Sequence, residues 1–468
     1  MSSSRPKVCV IGGGISGLAA AYELVSSGGA VDVALLEASD RVGGAIRTDV
    51  MEGLDVEAGA DSFLARAPDA VELCKSLGLE DELIAPAVFG GSILTSASPP
   101  SLVGLPPGFV FGMPSTRRAA LTARHLPLSG RVRAALEPIV PGRPITTDVS
   151  IGELVRRRYG RSVLEWSVDP LLAGTRAGRV DEMSLEAALP QIWQLLRGRR
   201  SVMRALAGAR ARNGLPEGPP PFKTVAGGLQ RMVDALTDRL RSADVRVGTR
   251  VQTIERAGDK TLVRTENDTL EFDAVIAATP SYATAAMLRL ANPVGAELLR
   301  SIEFASVATI TFVFPPGARR KPLPGSGMLV PVRLGLALSA STWYSIKWPH
   351  AAPADGGLVV RSFVGRATGE DAWERPDDEL VEGAAAETAA ALELTQAPLS
   401  AHLVRWPRSL PQYRVGHVRL VERIEEALLS TPGIWVSGAS YGGSGIPDCI
   451  RHARATARRV LHSVGAVG

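Results

Sequence analysis

The chain opens on an unbroken apolar run, Val8 to Ile11, followed by three glycines and a stretch from Ile15 to Ser26 with apolar residues on one helical face. Short continuous apolar runs bounded by turn residues mark strands buried on both faces, so this segment predicts strand, tight turn and helix. A second buried strand is expected over Val31 to Leu36, a strand that ends in a small-residue loop over Leu54 to Phe63, and a helix over Pro68 to Leu77. From Ala85 to Pro144 the chain reads as irregular and proline-rich, and Ile151 to Arg212 as several helices with basic outer faces. An amphipathic helix over Leu229 to Leu240 follows, then a strand over Val245 to Val251, a hairpin of Leu262 to Glu266 with Leu270 to Phe272, and a buried strand over Ala274 to Ala278. Beyond Ser301, strand-like runs (Ala308 to Phe314, Leu358 to Val364) alternate with a helix over Asp377 to Leu394. The chain closes on a strand at Ile434 to Val436, a glycine-rich loop, and a helix from Ile446 to about Leu461, with Pro447 pre-set for its first turn.

At 468 residues the chain exceeds one small core, so two or three domains are expected. Apolar residues at 45% and charged residues at 21% exclude a disordered chain. A formal charge of only +4 argues against a nucleic-acid partner. Six lysines leave 46 arginines, whose planar forks grip carboxylates better than an ammonium does. Cys9, Cys74 and Cys449 stand alone, and the six histidines lack metal-ligand spacing, so neither a disulfide framework nor a metal site is expected. Neither a signal peptide nor a membrane-spanning run is evident, which points to the cytoplasm; peripheral membrane contact through a surface such as Leu105 to Met113 is compatible with this.

The first fifty residues carry the chemistry. Gly12, Gly14 and Gly17, with Gly13, Ile15 and Ser16 between them, have the G-x-G-x-x-G spacing between a strand and a helix. The first glycine permits the tight turn, the second lets a pyrophosphate approach the backbone, and the third lets helix pack on strand. Glu37 lies 20 residues beyond Gly17, at the end of the second strand, where a carboxylate accepts from a ribose 2′-OH and disfavours a 2′-phosphate. Ala38, then Arg41, Gly43 and Gly44, form a second close-approach turn with a cation to offset phosphate charge, and Arg47 is a second candidate for that role. This extended pattern resembles FAD-binding proteins of the amine oxidase and glutathione reductase type. The resemblance implies an α/β fold with a Rossmann-like FAD domain, a sheet-based substrate domain and an inserted helical region. FAD would be held non-covalently by residues 1–85, 223–300 and 404–468, the helical insert would cover 86–222, and the substrate domain 301–403.

Further stretches narrow the resemblance. Ile11 to Leu24, Glu57 to Phe63, Ser167 to Gly178, Leu410 to His417 and Gly438 to Ile450 together resemble the porphyrinogen oxidases of haem biosynthesis, the actinobacterial coproporphyrinogen III branch in particular. The resemblance implies that Gly59, Ala60, Asp61, Ser62, Val251, Trp406, Gly438, Ile446, Pro447 and Asp448 join the glycine motif around FAD. It further implies that Gly174 lies by the reacting methylene, that Leu329 and Thr342 flank the macrocycle, and that Phe363 stacks on a pyrrole. Gly91-Ser92 stands where relatives carry a propionate-binding arginine, so Arg176 and Lys347 are the candidates here; Asp61 replaces a family asparagine. The implied reaction removes six electrons from a porphyrinogen with oxygen as acceptor, by hydride transfer from a meso carbon to the flavin. The proton would go to water or to a backbone carbonyl such as that of Gly174. Transient contact with the next haem-pathway enzyme fits this picture. Three rival readings share the fold: an amine oxidase, a carotenoid desaturase, and a non-catalytic relative of the prenyl chaperones. No G-x-S-x-G motif or Cys/His pair supports a hydrolase.

Overall fold

A computed structural model describes residues 5–212, 222–366 and 374–466. Residues 213–221, the end of the expected insert, lie outside the described residues. Five parallel strands form the first sheet, in the spatial order Asp244–Arg246, Asp32–Leu36, Lys7–Ile11, Ala274–Ala277, Ile434–Val436. The continuous apolar run at its centre has a direct cause. Val8 and Val10 face a layer of three helices, Ile15–Val25, Gln230–Arg239 and Ile446–Ser463, while Cys9 and Ile11 face a second core containing Val251, Ile254 and Val263. Each side of the strand is therefore buried.

The segment expected as one strand over Val245 to Val251 is two. Asp244–Arg246 finishes the parallel sheet, and Val251–Ala257 starts a separate three-stranded antiparallel sheet with Lys260–Thr265 and Thr269–Phe272. Gly248, at φ +62°, turns the chain between them, a backbone state glycine adopts without strain. The segment Leu54 to Phe63 runs from strand into loop as expected: Leu54–Glu57 pairs with Thr48–Met51, residues 58–62 form the loop, and Phe63–Leu64 pairs with Phe222–Val225.

The second sheet has seven strands, ordered Ser400–Pro411, Phe304–Phe314, Leu358–Val364, Leu338–Thr342, Gly327–Leu329, Ser92–Ala97, Pro100–Gly104. Two of these correct the sequence reading. Residues 92–104, expected to be irregular, are a hairpin at one edge, where proline is tolerated because no neighbour needs its missing N–H. Ser400–Pro411 forms the other edge, so the sheet extends past residue 403, the expected limit of the substrate domain. Alternate residues of Leu358–Val364 divide the two faces. Val360 and Val364 pack against the helix Asp377–Leu392, whereas Arg361 and Phe363 point to the opposite side.

The helical region closes around its own core, from Met113 to Ala209. Inside it Glu137 is fully buried and accepts from Arg158 Nε at 2.7 Å, Ser201 Oγ at 2.7 Å and the Val202 N–H at 2.9 Å. The carboxylate thus binds a guanidinium and the start of the helix Val202–Ala211 together.

Candidate flavin and substrate site

The three glycines of the first turn do three different things. Gly12 has φ +103°, and a Cβ there would stand 2.9 Å from the Ala278 carbonyl. At Gly17 a Cβ would lie 1.8 Å from the Gly12 carbonyl, so helix and turn touch through backbone alone. At Gly14 a Cβ would meet no atom within 4 Å. That open side lies at the start of the helix Ile15–Val25, which no side chain caps and whose first turn holds no acid. Free N–H groups, the helix dipole and space together suit a pyrophosphate, so the residues present fit the nucleotide end of FAD.

Around this turn the predicted residues assemble. The Glu37 carboxylate accepts from the Gly13 N–H at 2.5 Å and the Ser39 N–H at 2.8 Å, which fixes it at the strand end. The Gly43 N–H donates to the Gly13 carbonyl at 2.7 Å, and a Cβ on Gly44 would lie 3.1 Å from the Gly14 α-carbon. Arg41 holds this second turn in shape, donating to the carbonyls of Val42 at 3.0 Å, Gly44 at 2.7 Å and Ile46 at 3.2 Å. Its fork is spent on backbone. Arg47 pairs with Asp49, with Nε 2.8 Å from Oδ1. Neither arginine therefore presents a free fork to phosphate. Val251, at the start of the separate antiparallel sheet, shares a buried core with Leu36 and Ile11, and Ala38 follows Glu37 in the turn that leads to Arg41.

The loop after Leu54–Glu57 is the junction between the two sheets. Three donors converge on the Ala58 carbonyl: Thr309 Oγ1 at 2.7 Å, Trp406 Nε1 at 3.0 Å and an Arg361 terminal nitrogen at 3.1 Å. Arg361 also donates to the Gly59 carbonyl. A Cβ on Gly59 would be 1.9 Å from the Ala45 carbonyl and 3.2 Å from the Trp406 ring. Ala60 and Ser62 continue the loop, with the Ala60 N–H on the Ala45 carbonyl at 3.3 Å and Ser62 Oγ on Asp61 at 2.7 Å. Lys347 Nζ lies 2.7 Å from Asp61 Oδ2. Burial alone would raise the Asp61 pKa, but the Lys347 ammonium and Arg361 outweigh it and hold the carboxyl below the usual range. Lys347, the cation expected beside a substrate propionate, pairs with Asp61, whose burial unpaired would be costly.

Register places the expected macrocycle residues on one face. Leu329, Ala340, Phe363 and Thr309 are opposed across four strands, and Thr342 and Arg361 form the adjacent row on the same side. Gly174, in the helix Asp169–Arg176, stands over this face: a Cβ there would be 3.3 Å from both Leu329 Cδ2 and Ala340 Cβ. At the end of that helix Arg176 donates to the Ala188 carbonyl at 3.0 Å and to Ser444 Oγ at 3.3 Å. Burial lowers its pKa, and no described carboxylate forms an ion pair with it. Ser444 belongs to the glycine loop that starts at Gly438, whose φ is +126° and which adjoins Ser16. The loop ends at Ile446, Pro447 and Asp448, the uncapped first turn of the last helix. Asp448 turns back to pair with Arg451. His417, the histidine that stood out in the sequence, is buried and stacked on Tyr413 at 4.2 Å; burial pushes its pKa down to about 4.

Three residues of this site were not found from sequence. Arg361 is 1% exposed, and its Nε has no partner among the described residues. Glu57 accepts from the Leu229 N–H at 2.6 Å and from Thr48 at 3.0 Å, and burial pushes its pKa up to about 7. Asp169, the first residue of the Gly174 helix, is pushed up to about 6 by burial, which the nearby Arg366 only partly offsets. A signal existed for the first. A charged arginine inside Leu-Val-Val-Arg-Ser-Phe-Val interrupts a mostly apolar strand.

Comparison with known proteins fits this geometry. The family model described as flavin containing amine oxidoreductase matches residues 15–461. The chain belongs to that family. Within it, the coproporphyrinogen III oxidase of Bacillus subtilis (strain 168) is 34% identical, with 98% of this chain and 99% of that protein aligned. The enzyme of that name from Propionibacterium freudenreichii subsp. freudenreichii is 32% identical, over 98% of this chain and 91% of its own. A candidate protoporphyrinogen oxidase from Exiguobacterium sp. 255-15, solved by crystallography, superposes with a TM-score of 0.87 at 28% identity, covering 98% of this chain and 99% of its own. As a family member the chain is a flavin-dependent oxidoreductase of the porphyrinogen oxidase group, and FAD is its cofactor. Among the described residues no cluster of metal ligands occurs, and no helix is long and apolar enough to cross a membrane.

Proposed function

We propose that this chain oxidises coproporphyrinogen III to coproporphyrin III, with oxygen as acceptor. Six hydrogens leave the porphyrinogen and three oxygen molecules become three of hydrogen peroxide, so atoms and electrons balance. The observation that carries this reading is the single sheet face bearing Leu329, Thr342 and Phe363, with Gly174 above it and the Ala58–Ser62 loop along its flank. The names of the full-length relatives support the choice of substrate. Bound FAD supplies a hydride acceptor that oxygen then regenerates.

The chain's own residues bind, orient and exclude. Leu329 and Phe363 offer apolar walls to a flat macrocycle, and the missing side chain of Gly174 leaves room for the reacting methylene. Arg176, with no carboxylate partner, holds a propionate. Arg361, Thr309 and Trp406 keep the cofactor loop in register with the substrate face through the Ala58 carbonyl. No side chain is needed as base if the pyrrole proton passes to water or to the Gly174 carbonyl.

The test is aerobic turnover of flavin-loaded protein on coproporphyrinogen III and protoporphyrinogen IX side by side, read by porphyrin fluorescence against a protein-free control. Preference for the first is expected. Preference for protoporphyrinogen IX would reassign the substrate, and no enzyme-dependent fluorescence with either would return the chain to the amine oxidase reading.

A further inference from the structure

The helix Asp169–Arg176, which carries Gly174 over the substrate face, has a half-buried arginine at each end. Arg176 is its last residue. Beside its first, Asp169, stands Arg366, just past the strand Leu358–Val364. Eight residues put the two ends about 10 Å apart, a span across which one macrocycle presents two different pyrrole edges. One nitrogen of Arg366 is fixed: Nη2 donates to the carbonyls of Val330 and Leu338, each at 2.7 Å. Val330 follows Leu329, and Leu338 precedes Ser339, whose carbonyl would lie 3.7 Å from a Cβ on Gly174. The guanidinium is therefore anchored at the border of the substrate face.

Its other nitrogens, Nε and Nη1, are shut off from water and have no hydrogen-bond partner among the described residues. Dry, unpaired donors on a cation cost a fold more than neutral ones, and one reason a native structure keeps them is an acceptor that arrives with a ligand. The carboxyls nearby leave the demand unmet. Glu387 is spent on the N–H groups of Ala337 and Leu338, each at 3.0 Å. Asp169 forms no ion pair with Arg366, and burial lowers the Arg366 pKa, which Asp169 and Glu387 only partly offset. Arg176 shows the same imbalance, lowered by burial and without a paired carboxylate among the described residues. The other cations around the face are committed: Lys347 to Asp61, Arg361 to the cofactor loop, and Arg333 to Glu165 at 3.2 Å and the Trp166 ring at 4.6 Å.

We propose that Arg366 is a second propionate-binding cation of the site, taking a carboxylate at the opposite edge of the macrocycle from Arg176 and so separating four-propionate from two-propionate porphyrinogens. The inference rests on the reading of the substrate as coproporphyrinogen III. A planar guanidinium whose Nη2 is already held by two carbonyls loses little freedom when a carboxylate arrives, which suits it to this task better than a mobile surface lysine. Asp169 is then a rival for the same cation: its carboxylate partly neutralises Arg366 in the free enzyme and stands against the incoming propionate.

The experiment measures, on full-length flavin-loaded protein, equilibrium binding of coproporphyrin III by quenching of porphyrin fluorescence, and kcat and KM on coproporphyrinogen III and protoporphyrinogen IX. Arg366→Gln is expected to weaken coproporphyrin III binding and to raise KM for coproporphyrinogen III by about tenfold to a hundredfold, with a much smaller change for the two-propionate substrate. Asp169→Asn moves affinity the other way, tightening coproporphyrin III binding by about threefold or more, because the rival charge is gone. An arginine that only held the strand ends to the helix would cost stability in both variants and tighten binding in neither, so unchanged or weaker binding by Asp169→Asn overturns the proposal, and that variant decides alone if Arg366→Gln does not fold. Losses from Arg176→Gln and Arg366→Gln multiply when the two hold different propionates; a double variant no weaker than the worse single one would place both on one carboxylate and overturn the two-ended assignment. Equal loss on both porphyrinogens, or a preference that survives Arg366→Gln, would overturn the inference and leave the substrate standing. A parent protein with no preference for coproporphyrinogen III would overturn both.

Discussion

Lys347 Nζ stands 2.7 Å from Asp61 Oδ2, and through this pair the short helix Tyr344–Lys347 of the second sheet is tied to the loop that follows the Leu54–Glu57 strand. Both side chains are shielded, at 14% and 16% exposure. Lys347→Met leaves a buried carboxylate without its counter-charge and is expected to destabilise the fold by about 3–5 kcal/mol. Denaturant unfolding measures the loss. Adding Asp61→Asn should restore most of it, and a double variant no more stable than Lys347→Met would contradict the assignment. The Asp61 pKa is held low when folded, so this contribution is present above the unfolded carboxyl pKa and is lost as pH falls below about 4.

Glu57 has the opposite sign. Its folded pKa is raised to about 7, so the native state keeps a proton that the unfolded chain releases. Stability from this group is complete below the unfolded pKa and declines by about 3 kcal/mol as pH rises from about 4.5 to 7. Glu57→Gln should flatten that slope. Thermal unfolding of both proteins from pH 5 to 8 decides it, and parallel curves would mean that Glu57 is ionised throughout.

Gly14 and Gly17 differ in what an added methyl meets. Gly17→Ala forces a Cβ to 1.8 Å from the Gly12 carbonyl and should destabilise the protein without any ligand, by about 3 kcal/mol or more. Gly14→Ala meets no protein atom, so the apoprotein should melt as the parent does while FAD affinity falls at least about tenfold. Calorimetry of apoprotein and flavin titration separate the two. A Gly14→Ala protein that binds FAD normally would place the pyrophosphate elsewhere.

Gly174→Ala gains helix propensity of about 1 kcal/mol and loses a similar amount to contacts at 3.3 Å, so its stability should be near that of the parent. Turnover should nonetheless fall about tenfold or more, because the methyl enters the space over Leu329 and Ala340. Unchanged turnover with unchanged KM would remove Gly174 from the site.

Arg176→Gln should raise KM for coproporphyrinogen III by about tenfold to a hundredfold, the worth of a charge-assisted hydrogen bond. Steady-state kinetics on porphyrinogens with four and with two propionates test this. An equal, small effect on both would show that Arg176 serves only to join its helix to the Ser444 loop.

The elements legible in sequence were those whose burial is two-sided or whose backbone needs glycine. Val8–Ile11 and Ala274–Ala277 are apolar at every position facing a core, and Gly12, Gly14 and Gly17 carry distinct steric duties that their spacing alone predicts. The edge hairpin at 92–104 escaped because an edge strand tolerates proline and small polar residues. The break at Gly248 was hidden because apolar residues continue on both sides of it while the chain changes sheets. Arg361 and Asp61 are intelligible only through partners, Ala58, Gly59 and Lys347, distant in the chain and brought together by the second sheet. The Lys347–Asp61 pair is hidden for the same reason: sequence marks a cation but not its counter-ion.

The order of strands in the parallel sheet has a consequence for biosynthesis. Lys7–Ile11 takes its two neighbours from Asp32–Leu36 and Ala274–Ala277, and the outermost strand, Ile434–Val436, comes from near the end of the chain. On the ribosome the first strand and helix emerge with one partner in hand, and their other side faces solvent until more than half of the chain has been made. The glycine turn cannot close over its helix layer before Ile446–Ser463 is released. Completion of this sheet is therefore a late event that needs nearly the whole chain.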